Sequence, residues 1–136
     1  MSPPPTAPSN PAPPTLARAV GQFNAGEYFA CHETLEELWL AEESDLRYLY
    51  QGILQIGVGL FHLRRGNEAG ALTLLARGSR LLLPFAPVNC GLDVGALLRA
   101  AKRIHNCLLA DGCAAAQGLL ERDPPQLHRL QAPSPG

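Results

Sequence analysis

The prolines of this chain gather at its two ends: seven of the thirteen lie in the first fourteen residues, and Pro124-Pro125 opens a second proline-rich stretch. Proline lacks a backbone donor and breaks helices, so continuous helix belongs to the sequence between them. Pro3-Pro4-Pro5 and Pro13-Pro14 favour an extended, hydrated backbone with nothing to bury, and the last thirteen residues have similar composition. The expected organisation is a disordered tail over residues 1–14, one domain over 15–123, and a second disordered tail over 124–136. With 136 residues, 46% of them apolar, the chain is long enough for one hydrophobic core and too short for two.

Helical spacing then fills the middle. Thr15 is placed to cap a first helix through Phe23, closed by Asn24-Ala25-Gly26. Residues 27–42 carry Tyr28, Cys31, Leu35, Leu38 and Trp39 at three- and four-residue steps, one stripe of a second helix. Ser44-Asp45 caps a third helix to Arg65, apolar around most of its circumference and closed by Gly66. Asn67 caps a fourth that contains Ala71, Leu75 and Leu82, Asp93 a fifth to about Leu109, and Asp111 a weaker sixth through Arg122. The Val and Ile residues lie within helical patterns, and no alternating run predicts a strand. The expected fold is all-α: a compact bundle of five to six helices in antiparallel helical hairpins, forced by the short connections near residues 43 and 66.

Charge and cysteine usage narrow the function classes. Eleven basic against twelve acidic residues, net −1, supply no field that would hold nucleic acid or anionic lipid. The first fourteen residues lack the basic and apolar regions of a signal peptide, and no membrane association is expected. Cys31, Cys90, Cys107 and Cys113 form no CxxC pair, which argues for reduced structural thiols in a cytoplasmic protein and against a cysteine zinc site.

One constellation could carry chemistry. In the second helix, at about 100° per residue, Trp39 lies in line with His32, Glu36 borders that line, Glu33 is intermediate and Glu37 points away. In the third, Gln51, Gln55 and His62 fall within about 40° of one another on an otherwise apolar helix. Unpaired burial would cost about 1 to 3 kcal/mol per group, so the two polar stripes are expected to face each other, Gln51 opposite Glu36 and Gln55 opposite His32. Gly52, Gly57 and Gly59 would permit a close helix approach. Two readings stay open: a buried network of His32, Glu36, Gln51 and Gln55 that fixes helix register, or a site in which Glu36 with His32 and Glu33 does acid–base work or His32 and Glu36 hold a divalent metal. The spacing matches neither the HExxH zinc motif nor paired Glu-x-x-His di-iron motifs.

The run from Phe23 to Glu33, continuing to Glu36-Glu37-Leu38-Trp39, resembles the opening motif of a family of small prokaryotic proteins catalogued as domain of unknown function 309. Tyr50-Gln51-Gly52-Ile53-Leu54-Gln55, Phe61-His62-Leu63-Arg64-Arg65-Gly66-Asn67 and Gly70-Ala71-Leu72 look like its later blocks, and Gly91-Leu92-Asp93-Val94 like a fourth, so the resemblance spans about residues 15–109. It implies an all-helical fold and no particular activity. The leading expectation is a helical scaffold or interaction module, a homodimer, because apolar residues reach nearly every helix face of so small a chain. The rivals are an enzyme, such as a hydrolase, using His32 and Glu36, and a ligand pocket lined by Trp39, Tyr48, Gln51 and Gln55, with His62 as a further binding candidate.

Overall fold

The structure, a computed structural model, describes residues 14–130; the amino-terminal tail up to residue 13 and residues 131–136 lie outside the described residues. Six helices follow in order: α1 Pro14–Asn24, α2 Tyr28–Ala41, α3 Leu46–Arg64, α4 Glu68–Leu82, α5 Val94–Asp111 and α6 Cys113–Arg122. Between α4 and α5 lie a 3-10 turn, Leu83–Phe85, and the short strands β1 Val88–Asn89 and β2 Leu92–Asp93. The all-α expectation holds.

Local chemistry explains most boundaries. Pro14 opens α1, where its missing N–H costs nothing, and Thr15 lies inside the first turn rather than capping it. Leu16, Ala19, Val20 and Phe23 are the buried stripe of that helix. Its end is a Schellman motif: Gly26, at φ +77°, donates to the Phe23 carbonyl at 3.0 Å and Glu27 to that of Gln22 at 2.9 Å. The same device closes α3, where Gly66, at φ +80°, donates to Leu63 at 2.9 Å and Asn67 to His62 at 2.8 Å. The expected caps Asn67 and Asp93 accept from the amides of Gly70 and Ala96 at 3.0 and 2.9 Å. At α3 the Ser44 hydroxyl accepts from Leu46 N at 3.2 Å while Asp45 makes no side-chain cap, and α6 starts from Gly112 because Asp111 ends α5.

α3 is the central helix, burying Leu49, Ile53, Ile56, Leu60 and Leu63. Its glycines serve a different neighbour from the one expected. A Cβ built on Gly52 would lie 2.7 Å from Leu82 Cδ2, one on Gly59 3.2 Å from Leu75, and one on Gly78 2.8 Å from the Gly52 carbonyl oxygen. The close approach is therefore between α3 and α4, and Gly57 meets only Phe23 of α1, at 3.8 Å.

Two further departures concern the carboxyl half. Cys90 and Gly91, at φ +51° and +70°, form the two-residue turn of an antiparallel hairpin pairing Val88 with Asp93 and Asn89 with Leu92. Two-residue strands are too short to show alternation. The segment from Pro124, expected to have nothing to bury, is packed through residue 130. Leu127 is 2% exposed, and the Asn24 side chain accepts from its N–H at 2.7 Å and donates to its carbonyl at 3.0 Å. Asp93 N–H donates to the His128 carbonyl and Leu130 N–H to that of Gly91, which extends the hairpin by a bridge. Among the described residues no helix is long and apolar enough to cross a membrane.

Candidate functional site

The buried residues of α2 are Tyr28, Cys31, Thr34 and Leu35. Taking the middle of that stripe as the inward direction, His32 lies about 80° and Glu36 about 120° away at 100° per residue. The structure accordingly puts both at the surface. His32 Nε2 is 3.4 Å from Glu36 Oε2, with 32% and 48% of the two side chains exposed. Glu33 is exposed beside them, and Glu37 meets Arg18 of α1 at 3.5 Å. An open groove of about 480 Å³ runs over this face, lined by Phe29, His32, Glu33, Glu36, Glu37 and Leu40.

The expected buried network does not form. Among the described residues no hydrogen bond joins His32 or Glu36 to Gln51 or Gln55; both glutamines are half-buried, and Gln55 Oε1 is buried without a partner. Glu36 remains in contact with water rather than buried in that network. The polar stripes do not meet because α2 turns Tyr28, Cys31, Thr34 and Leu35 inward, one step round the helix from the line through His32 and Trp39.

The remaining candidates divide into two groups. Trp39 and Tyr48 come together at the α2–α3 turn through Arg47, whose guanidinium carbon is 5.7 Å and 5.8 Å from their ring centres. Trp39 Nε1 and Arg47 Nε are buried there without partners. His62 lies at the α3–α4 corner: its Nδ1 accepts from Asn67 Nδ2 at 3.3 Å while Asn67 Oδ1 caps α4, and a side chain at Gly70 would collide with both. The block from Phe61 to Gly70 thus builds the α3–α4 corner.

Reading the sequence did not single out Phe29 or Phe61. Their rings are 6.0 Å apart and continue to His32 and His62, each at 6.2 Å, which makes a row of four rings across α2 and α3. The available signal was Phe29 itself, a large apolar residue outside the buried stripe, and 60% exposed. As for metals, the described residues contain no group of three or more His, Cys, Asp or Glu side chains placed to hold an ion.

Cys31 is fully buried and donates to the Ala19 carbonyl at 3.3 Å; burial pushes its thiol up to about 12, so the thiolate is scarce at neutral pH. In the folded protein a maleimide at pH 8 is therefore expected to modify the half-exposed Cys107 and Cys113 while sparing Cys31 until denaturant is added. Mass spectrometry of the labelled peptides would show this. Early labelling at Cys31 would mean that α1 and α2 separate readily.

Fold and site together define a small all-α bundle whose polar motif faces outward from one helix of a hairpin. The family model described as Domain of unknown function (DUF309) matches residues 16–74, from α1 into α4, the segment that carries the blocks from Phe23 to Leu72 that resemble that family. The block Gly91–Val94, expected to be a fourth family motif, lies outside the matched residues and is the hairpin strand leading into α5. An uncharacterized protein, YpuF, of Bacillus subtilis (strain 168) is 40% identical over 82 residues, 58% of this chain and 47% of that protein. An uncharacterized protein of Aquifex aeolicus (strain VF5) is 31% identical over 58 residues, 41% of this chain and 17% of the other. The chain thus spans less than half the length of either relative. No solved structure matches it.

Proposed function

We propose that this chain is a helical interaction module that pairs with a second copy of itself through the face where α2 meets the end of α3. The observation that carries the reading is the exposure of Phe29, 60%, and Leu40, 70%, on either side of the His32–Glu36 pair. An apolar patch of this kind with a polar rim marks a contact surface. Its charge favours a like partner. Glu33 and Glu36 lie on α2 while Arg65, whose guanidinium covers the Phe61 ring at 5.6 Å, ends α3, so a two-fold axis between them sets the acidic edge of each copy against the basic edge of the other. The near-neutral chain argues for a protein partner over nucleic acid, and four unpaired cysteines suit a reducing cytoplasm.

Light scattering on the purified chain is expected to give twice the monomer mass at high concentration. Phe29→Glu should weaken association about a hundredfold, some 3 kcal/mol, with an unchanged helical spectrum. A wild type that stays monomeric throughout would overturn the proposal. The contact between His32 and Glu36 also favours an acid–base or metal-site reading. Stoichiometric metal in the purified protein, lost in His32→Ala, would put that reading first.

A further inference from the structure

A second concavity lies at the other end of α2, where the α1–α2 turn, the end of α3, α6 and Pro124 converge around a cavity of about 410 Å³. Arg64 of α3 is fixed at its wall: Nη1 donates to the Gly26 carbonyl at 2.8 Å, and the guanidinium carbon stands 4.7 Å from the Tyr28 ring centre. A Cβ on Gly26 would come within 3.1 Å of Nη2, so the glycine required by the positive φ also leaves the guanidinium its place. Glu121 of α6 lines the same cavity. Among the described residues neither charge takes part in an ion pair, with the other or with any third group. Ala25, Leu120 and Pro124 add apolar wall, and Tyr28, also lining the cavity, has a buried hydroxyl with no partner.

Opposite charges that face one cavity without pairing leave room for a molecule that pairs with both. We propose that this cavity binds a small zwitterion of the free α-amino acid class, its carboxylate against Arg64 and its ammonium against Glu121. A guanidinium held by one edge and one face still presents donors in the fork geometry that suits a carboxylate. Phosphate is disfavoured by the Glu121 charge and a simple amine by Arg64. The volume is toward the small end of ligand pockets and admits any of the common amino acids. Burial raises the pKa of the Tyr28 phenol, only partly countered by Arg64, which keeps the hydroxyl neutral and able to donate.

The test is a set of amide NMR titrations of the full chain with each common L-amino acid at up to about 10 mM. At least one is expected to give saturable shifts at Gly26, Tyr28, Gln117 and Leu120. Its N-acetyl and carboxamide derivatives, each lacking one charge, should bind about tenfold more weakly or worse, as should Arg64→Gln and Glu121→Gln with unchanged helical spectra. Arg77→Gln on the exposed face of α4 serves as the charge control and should bind as the wild type does. No saturable shift with any amino acid would overturn the proposal, and so would an N-acetyl derivative that binds equally well, which would make this an anion site. If Arg64→Gln does not fold, the derivatives on the wild-type chain decide the question.

Discussion

Gly78→Val is expected to lower the midpoint of thermal unfolding by roughly 10 °C, a loss of about 3 kcal/mol at the upper end of the usual range for overpacking. A Cβ at this position would lie 2.7 Å from Ile56 Cγ1, 2.8 Å from the Gly52 carbonyl oxygen and 3.0 Å from the Ile56 amide nitrogen. Two of those three atoms are backbone of α3, which cannot turn aside as a side chain can, so relief requires moving the helices apart. That separation would loosen Leu75 and Leu82, both buried against α3. The control is Gly21, in α1, exposed and with nothing within 4 Å of a built Cβ. There Gly→Ala is expected to raise stability by about 0.5 to 1 kcal/mol through backbone entropy alone. Circular dichroism melts of the two variants should therefore move in opposite directions. A Gly78→Val melt within a degree or two of wild type would mean that the α3–α4 contact yields at little cost.

The glycines also show where sequence reading stops. That α3 needs small residues was legible, because Gly52 and Gly59 interrupt a helix otherwise rich in large apolar side chains. Which neighbour comes close was not, since the answer depends on Gly78, distant in sequence and unremarkable in its own helix. The boundaries were legible for a local reason: Asn24-Ala25-Gly26, Gly66-Asn67 and Asp93 act through hydrogen bonds to residues within one turn. The candidate site was misjudged by one step of the helical wheel. His32, Glu36 and Trp39 share a side of α2, but Tyr28, Cys31 and Leu35 decide which side faces inward. Taking the inward direction from the polar residues placed in the core a pair that lies at the surface.

The carboxyl-terminal segment offers the sharpest test of contacts that periodicity cannot reveal. Asn24→Ala is expected to cost about 2 kcal/mol in denaturant unfolding, by either of two routes. If Pro124–Leu130 stays docked, the Leu127 N–H and carbonyl, bonded to Asn24 at 2.7 and 3.0 Å, lose both partners in a place where Leu127 is 2% exposed. An orphaned buried group costs about 1 to 3 kcal/mol. If the segment releases instead, the burial of Leu127 is forfeited, about 1.5 to 3 kcal/mol, partly offset by the regained freedom of the segment. Hydrogen exchange separates the routes. Release should strip protection from the amides of Asp93 and Leu130, whose acceptors are the His128 and Gly91 carbonyls, while α3 stays protected. Asn24→Asp should fall between wild type and alanine, because it keeps the acceptor for Leu127 N–H and sets a carboxylate oxygen against the Leu127 carbonyl. Unchanged stability in Asn24→Ala, with amide protection intact, would show that the burial of Leu127 and the backbone bonds to Asp93 and Gly91 hold the segment without the Asn24 side chain.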